Sequence, residues 1–321
     1  MLDINLKGSY YDMGLQYGKG MKKSGFIIPL FPEKRLKLGE ICKGHVEIFF
    51  PEILEEIRGI SDATELNYDA LCTMVLTHPM SVPKCSILAV TDGQQTFIGR
   101  NYDMFYSFKD FTESYFTDPN GGFKSVGQTD IYIGREDGVN ERGLGVAMSG
   151  ITAYFEPGIA FWIAIRYILD KCKTVQEGID FLTEIPHHCT ISFLLADLTG
   201  DMVVIEVSPK HTVIREPING YIVSTNHFNH PDMQNIKMFE PFDSRIRYKT
   251  IMESLGKCTG QLDDDYIKSI LSSHDGLVCS HIEEAKLGTL WSLVVNLNTR
   301  QIWRADGHPC STPYQIISRM L

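Results

Sequence analysis

The sequence predicts an α+β protein in which antiparallel β-sheets pack face to face and helices cover them. Strand-like segments follow one another more often than they alternate with helices, which favours antiparallel sheets over a parallel doubly wound fold. Helical patterns occur in blocks, one at the start of the chain and others between strands. Hydrophobic residues make up 43% of the 321 positions, which is enough for a full core.

The first part of the chain, residues 1–84, is predicted to be helical. Gly14 and Gly18 lie four residues apart, so one face of a helix there can approach a neighbouring element closely. Pro51 and Glu52 open a second helix, in which apolar residues recur at helical spacing. We therefore expect a helical segment that packs on the rest of the protein.

A strand pattern begins after this helical segment. Residues 85–90 are a continuous β-type run, and Asp92-Gly93 is a strong two-residue hairpin turn that leads into residues 96–102. Further strands are predicted at residues 129–134, 143–149, 190–197, 202–208, 212–215, 220–225, 290–297 and 301–304, and further helices at 159–172, 174–182, 244–255 and 263–272. Residues 85–321 are therefore predicted to form the α+β core.

Composition excludes several classes of function. Thirty Lys and Arg against forty Asp and Glu give a net charge of -10, so we expect no nucleic-acid partner. No apolar run approaches the roughly 18 residues that span a bilayer, and the first residues lack the pattern of a signal peptide. The eight cysteines are scattered singly, as in proteins with reduced thiols. We expect a cytoplasmic protein that has no membrane partner.

The hairpin brings residues capable of chemistry together. If Asp92 and Gly93 are the two turn residues, Cys85 lies directly opposite Arg100. A guanidinium beside a thiol favours the reactive thiolate. Strict strand alternation puts Arg100 and Asp103 on opposite faces, so both reach the cysteine only if the strand bends or ends. The alternative interpretation is a core cysteine beside a surface ion pair.

Short motifs occur in a fixed order along nearly the whole chain. They are Met13-Gly14-Leu15-Gln16-Tyr17-Gly18, Pro51-Glu52-Ile53-Leu54-Glu55-Glu56-Ile57-Arg58-Gly59-Ile60, Cys85 with Gly99-Arg100-Asn101-Tyr102-Asp103, Gly138-Val139-Asn140-Glu141-Arg142-Gly143-Leu144, Glu206-Val207-Ser208-Pro209, Ser224-Thr225-Asn226-His227, Asp243-Ser244-Arg245, His274-Asp275-Gly276-Leu277-Val278-Cys279-Ser280-His281 and Gly307-His308-Pro309-Cys310. In this order they resemble the acyl-coenzyme A:isopenicillin-N acyltransferases. That family lies within the N-terminal-nucleophile (Ntn) hydrolases, which include bile-salt hydrolases and penicillin V acylases.

The resemblance implies a four-layer αββα core over residues 85–321 and a propeptide-like segment over residues 1–84. It also implies a precursor that cuts itself at the Lys84–Cys85 bond and so frees the α-amine of Cys85. In such enzymes this amine is the general base, directly or through water, and the thiol is the nucleophile. An α-amine titrates at about 7.7–8.0, close to working pH. The acyl group passes to sulfur, and water or an amine then takes it.

The resemblance also assigns roles to five residues. Cys85 matches the nucleophile, Arg100 and Asp103 the pair that positions and polarises it, Asn226 the side-chain donor of the oxyanion hole, and Arg245 a supporting arginine at a helix start, with Arg247 a possible substitute. One departure is that residues 146–150 lack the asparagine that adds to the oxyanion hole in bile-salt and penicillin V hydrolases. Either a backbone N–H near Ser149 or Gly150 replaces it or the substrate is handled differently.

We therefore expect a cysteine Ntn-type hydrolase that cleaves a linear amide C–N bond through an S-acyl-enzyme. Its substrate is a small-molecule amide or acyl thioester, it needs no cofactor, and it can form a homodimer. The alternatives are an acyltransferase to an amine and a non-catalytic binding protein on the same fold. Histidines at 187–188 and 227–230 lack the ligand frames of zinc sites, so no metal is expected. Aromatic residues at positions 105–116 line an acyl pocket or belong to the core or to a lid.

Overall fold

A computed structural model describes residues 1–78, 84–236, 238–258 and 262–317, without the side chains of residues 152–154. In this part of the chain the helices are α1 (Tyr10–Lys23), α2 (Glu33–Phe49), α3 (Pro51–Thr64), α4 (Tyr68–Leu76), α5 (Phe161–Lys171), α6 (Val175–Glu184), α7 (Ser244–Gly256) and α8 (Asp264–Leu271). The strands are β1 (Leu2–Gly8), β2 (Lys84–Thr91), β3 (Thr96–Phe105), β4 (Glu113–Pro119), β5 (Ser125–Thr129), β6 (Asp137–Asn140), β7 (Gly145–Phe155), β8 (Cys189–Ala196), β9 (Met202–Ser208), β10 (His211–Arg215), β11 (Tyr221–Ser224), β12 (His281–Ile282), β13 (Leu287–Asn296), β14 (Gln301–Ala305) and β15 (Gln315–Ile316).

The strands form two sheets. The first has the order β1-β4-β5-β6-β7-β8-β9-β10, and the second has the order β11-β2-β3-β13-β14-β15, with β12 paired to β13. The paired strands run antiparallel, except that β1 runs parallel to β4. The segment 129–134, predicted as a strand, instead forms the end of β5 and the turn that leads to β6.

The two sheets pack face to face between helices. Ile87 and Ala89 of β2 meet Ala147 of β7 in one hydrophobic cluster, because alternate residues of each strand point to this interface. Leu88 and Val90 point the other way and pack with apolar residues of α7 and α8. Helices α5 and α6 cover the outer face of the first sheet. The predicted αββα sandwich is confirmed.

The N-terminal segment is mainly helical but begins with strand β1, which joins the first sheet. A Cβ on Gly14 of α1 would lie only 1.9 Å from the carbonyl oxygen of Glu56 in α3, so the predicted close helix approach is present. Apolar residues of α1–α4 share one hydrophobic cluster with the core, Cys85 included. The division of the chain at 84/85 stays a prediction, and residues 79–83 of this segment lie outside the described residues.

The β2–β3 hairpin has a wider loop than predicted. Thr91 pairs with Thr96, so four residues connect the strands instead of two. The Asp92 side chain holds this loop by accepting hydrogen bonds from the backbone N–H groups of Gln94 (2.9 Å) and Gln95 (2.8 Å). The predicted two-residue turn is therefore wrong, and the register of the hairpin is shifted by two residues.

The helices of the described residues also bear on membrane association. None of them combines the length and the apolar composition that crossing a bilayer requires.

Candidate active site

The wider loop changes which residues face Cys85. Cys85 lies opposite Tyr102, and Lys84 lies opposite Asp103, so the predicted pairing of Cys85 with Arg100 is wrong. Arg100 is nevertheless on the same face as Cys85, one diagonal step along the strand, because cross-strand partners share a face. The Cys85 thiol and Arg100 therefore point to the space between the sheets. Asp103 points to the side of the second sheet that α7 covers.

The thiol is enclosed and lies next to a neutralised arginine. Nη2 of Arg100 is 3.6 Å from Sγ of Cys85, while its Nη1 donates to Oδ2 of Asp137 at 2.6 Å. Trp291 Nε1 donates to the same carboxylate oxygen at 3.1 Å. Burial outweighs the arginine and raises the pKa of the Cys85 thiol to about 11. The expected shift toward thiolate is therefore wrong for the intact chain, in which the thiol is protonated at neutral pH.

The backbone of Cys85 is held on both sides. Its N–H donates to Oδ1 of Asn226 at 2.9 Å, and its carbonyl accepts a hydrogen bond from Nη1 of Arg247. Arg247 also donates from Nη2 to Oδ1 of Asn226 at 2.8 Å. Strand β11 runs antiparallel to β2 and ends at Ser224, which brings Asn226 beside the cysteine. Nδ2 of Asn226 donates to the carbonyl of Gly150 at 2.8 Å, so Gly150 contacts the site through its oxygen.

A buried cluster of charged side chains lies on the face of β2 and β3 that the helices cover. Lys84 Nζ and Arg247 Nη2 both contact the carboxylate of Asp243, at the start of α7. Asp103 accepts a hydrogen bond from the Thr289 hydroxyl at 2.6 Å. Its other oxygen, Oδ2, has no hydrogen-bond partner among the described residues. Burial raises the pKa of Asp103 to about 6, although Arg247 opposes the shift.

The structure does not bring Arg245 into this cluster. Its side chain is 67% exposed and pairs with Glu240 at 2.7 Å. Arg247 is fully buried and reaches both Cys85 and Asn226. Two positions along an α-helix differ by about 200°, so only one of the two arginines can face the sheet. The place predicted for Arg245 is therefore corrected to Arg247.

The histidines that were considered as metal ligands form hydrogen bonds with other protein groups. His227 is 1% exposed, and its Nδ1 lies 2.7 Å from the hydroxyl of Ser244. Burial lowers the pKa of His227 to about 4, so its ring is neutral. Nε2 of His187 donates to the carbonyl of Leu182 at 2.7 Å. These side chains hold local structure.

A cleft of about 510 Å³ is linked to the site through the side chain of Tyr102. Phe111 and Tyr132 line it together with Asp130, which accepts a hydrogen bond at 2.8 Å from the hydroxyl of Tyr102. Because Tyr102 pairs with Cys85, the cleft lies two side chains from the thiol. Tyr115, also among the predicted aromatic residues, is fully buried in the core.

Sequence reasoning missed three contributors to the site. Asp137 neutralises Arg100, Asp243 binds Lys84 and Arg247, and Thr289 holds Asp103. The sequence shows Asp137 only as the last of three consecutive ionisable residues, Arg135-Glu136-Asp137, directly before the Gly138 motif, and the structure buries all three. Thr289 carries no comparable signal.

Two facing sheets between helix layers, with the site at the start of a strand of the second sheet, are the architecture of an Ntn hydrolase. The chain belongs to the family described as acyl-coenzyme A:6-aminopenicillanic acid acyl-transferase, whose model matches residues 90–310. This range contains Arg100, Asp103 and Asn226 and begins after Cys85.

Solved structures with a similar fold include amide hydrolases. Two variants of the conjugated bile acid hydrolase from Clostridium perfringens are 15% and 14% identical to this chain, with TM-scores of 0.53 and 0.52. Each match covers 74% of this chain and 97% of the other. The penicillin V acylase from Agrobacterium tumefaciens is 16% identical, with a TM-score of 0.49 over 69% of this chain and 82% of that one. No match was found among curated proteins.

Proposed function

We propose that this protein is a cysteine Ntn-type hydrolase of linear amides in which Cys85 is the nucleophile. The observation that carries the proposal is the set of contacts that Cys85 makes. Its N–H donates to Asn226, its carbonyl accepts from Arg247, and its thiol lies beside Arg100. Any buried residue needs partners for its backbone groups, but a purely structural cysteine needs no arginine beside its thiol. Family membership supports amide hydrolysis or acyl transfer as the class of reaction.

Maturation by cleavage of the Lys84–Cys85 bond is part of the proposal. In the register of the sheet this peptide lies beside the one that joins Tyr102 to Asp103. Oδ2 of Asp103, which has no partner among the described residues, can accept a hydrogen bond from the amine that cleavage releases. That amine then supplies the base that the buried, protonated thiol lacks in the intact chain.

The reaction follows from these groups. The amine of Cys85 takes the thiol proton, sulfur attacks the acyl carbon, and the C–N bond breaks as the proton passes to the leaving amine. Water then attacks the thioester and regenerates the thiol. The cleft that Phe111 lines has a volume typical of small-molecule sites, about 300–1,000 Å³, and is the proposed acyl pocket.

Acyl transfer is the second candidate, because the family description names an acyl-transferase. We would incubate the processed protein with a panel of acyl amides and acyl thioesters, with and without an added amine. An acyl adduct on the Cys85 peptide supports the nucleophile, and the product that follows distinguishes hydrolysis from transfer. A panel that gives neither an adduct nor turnover supports the third alternative, a binding protein on this fold.

Replacement of Asn226 by Ala is expected to lower the rate about 100- to 1,000-fold, as for loss of other single oxyanion donors. The substitution also removes the acceptor of the Cys85 N–H. The measurement is kcat/KM on the best amide of the panel. Asn229→Ala, in the loop that follows, is the matched control and should change the rate little. Equal rates for both variants would remove Asn226 from the mechanism.

Self-cleavage is expected to slow about tenfold per pH unit below pH 6, and to be independent of pH just above it. The Asp103 carboxylate stabilises the Cys85 amine as the cut releases it. Asp103, whose pKa is about 6, is a carboxylate above that pH and a neutral acid below it, and Arg247, Lys84 and Asp243 are the charged groups that face it. The rate of fragment formation in freshly translated protein checks this. Burial also raises the pKa of Asp130 to about 6, so Asp130→Asn is the control. If the rate of self-cleavage no longer falls below pH 6 in Asp130→Asn, the titrating group is Asp130 and not Asp103.

A further inference from the structure

Four side chains that can bind a metal ion meet beside the second sheet, apart from the candidate active site. They belong to His274, Cys279, His281 and Cys310, and one ligand atom from each lies within 4.8 Å of those of the others. We propose that these four residues bind one Zn²⁺ ion at a closed structural site. The proposal does not depend on the activity of Cys85.

The local fold explains why three of the side chains meet. A 3₁₀ turn at Asp275–Leu277 reverses the chain after α8, and Cys279 N–H closes it on the carbonyl of Ser273 at 2.8 Å. Gly276 in this turn has φ +60°, which favours glycine. Cys279 lies in the bend that follows this turn, and His281 opens β12 two residues later, so the three side chains come from one short stretch of chain.

The fourth ligand comes from the loop after β14. Thr312 N–H donates to the carbonyl of His308 at 2.8 Å, and this turn presents Cys310 to the cluster. Sγ of Cys310 lies 3.8 Å from Nε2 of His281, and Nε2 of His281 lies 3.1 Å from Nε2 of His274. The ligands thus come from two separate segments, residues 274–281 and the loop that follows β14.

The two separations that involve His281 are close to those of a tetrahedral zinc centre, and the others lie within 4.8 Å. Zn–N bonds of about 2.0–2.1 Å and Zn–S bonds of about 2.3 Å place ligand nitrogens roughly 3.4 Å apart, and a nitrogen roughly 3.6 Å from a sulfur. Two thiolates and two neutral imidazoles are the Cys₂His₂ set that zinc prefers, and two thiolates balance its charge. Four protein ligands leave no position for substrate, so the role is structural. Binding releases the two thiol protons.

The site supports the elements that hold the candidate active site. Ser280, between two of the ligands, accepts a hydrogen bond from Thr289 N–H at 2.7 Å and donates its own N–H to the Thr289 hydroxyl at 3.2 Å. That hydroxyl donates to Asp103. On the same side, the Asn101 side chain donates to the carbonyl of Val278 at 2.8 Å. Zinc would therefore fix the chain that positions Asp103.

The first experiment measures metal in untagged full-length protein purified without chelator. We expect about one zinc ion per chain by mass spectrometry of the metal. After removal of the zinc under reducing conditions, Co²⁺ should give the intense visible bands of a tetrahedral site and a thiolate charge-transfer band. Wild type that contains no zinc and binds no cobalt would overturn the proposal. So would purified protein lighter by two hydrogen atoms, with Cys279 and Cys310 joined in a disulfide.

Variants test which residues bind. Cys310→Ser and His274→Ala lie at exposed positions and should fold, and each is expected to reduce the zinc content to near zero. Cys258→Ser is the matched cysteine control, and His308→Gln is the histidine control, since its ring packs against His281 with centroids 5.1 Å apart without belonging to the cluster. Both controls should retain zinc. Full zinc content in Cys310→Ser would overturn the assignment.

Discussion

Cys85→Ala is expected to abolish turnover and to leave the chain uncut. The substitution removes the only sulfur beside Arg100 within the described residues, while the backbone contacts of residue 85 with Asn226 and Arg247 can still form. Intact mass under denaturing conditions gives the result. Wild type should appear as a fragment of 84 residues and one of the remaining 237 of the 321, and the variant as one 36.3 kDa chain.

The control for this experiment is Cys189→Ala, which removes another fully enclosed thiol, one outside the site. It should be cut like wild type. A cut Cys85→Ala chain, or a variant with full amidase activity, would contradict the proposed nucleophile. A wild-type chain that stays whole but acylates at Cys85 would contradict self-cleavage alone and leave the nucleophile in place.

Arg247→Met is expected to lower the free energy of unfolding by about 3–5 kcal/mol, as when one partner of a buried ion pair is removed. The side chain is fully buried, and its loss leaves Asp243 with one cation fewer and the Cys85 carbonyl without this donor. Urea unfolding in the uncut Cys85→Ala background measures the change. The same background with Arg247→Lys tests whether charge alone suffices, since a lysine cannot reach several partners at once.

Arg245→Met provides the matched comparison for that experiment. The two arginines are two positions apart on α7, but Arg245 is exposed, and its pair with Glu240 is a surface ion pair. Such pairs contribute about 0–1 kcal/mol, so the expected change is small. Equal effects of the two substitutions would show that the buried network around Asp243 does not stabilise the site.

The sequence was sufficient for the fold because strand periodicity and motif order act over long stretches of chain. It was insufficient for register. The Asp92-Gly93 pair is typical of a two-residue turn, but the Asp92 side chain holds a four-residue loop. One slip of two residues keeps every side chain on its face, so Arg100 still reaches Cys85 although its predicted partner was wrong.

Charge partners were predicted less well than the residues that they hold. Nothing in the pattern around Arg245 and Arg247 distinguishes an exposed arginine from a buried one, because helix α7 has only a weak apolar face. Which arginine is buried depends on the residue at which the helix begins, and Asp243 is its N-cap. The alternation of β3 does separate Arg100 from Asp103, as predicted. The strand needs no bend, since Asp103 lies beside the backbone of Cys85 and not beside its thiol.

The metal-ligand cluster could not be predicted from paired spacing. Cys279 and His281 are separated by one residue, whereas Cys310 lies 29 positions further along the chain from His281. Strands β12 and β14 pair with successive parts of one edge of β13, whose other edge is taken by β3, and this arrangement brings the ligands together. The histidine pairs that are close in sequence, at 187–188 and 227–230, are not part of the cluster. His187 and His227 form hydrogen bonds with neighbouring protein groups instead.

The hydrophobic cluster that α1–α4 share with the core determines how a cut protein unfolds. Because β1 also pairs with β4, cleavage at Lys84–Cys85 leaves two chains that stay packed together. The uncut chain folds in a unimolecular reaction, whereas the cut protein must reassemble from two chains. Its melting temperature then depends on protein concentration, and dilution opposes refolding by mass action. The proposed processing would thus convert a molecule that refolds alone into one whose stability depends on concentration.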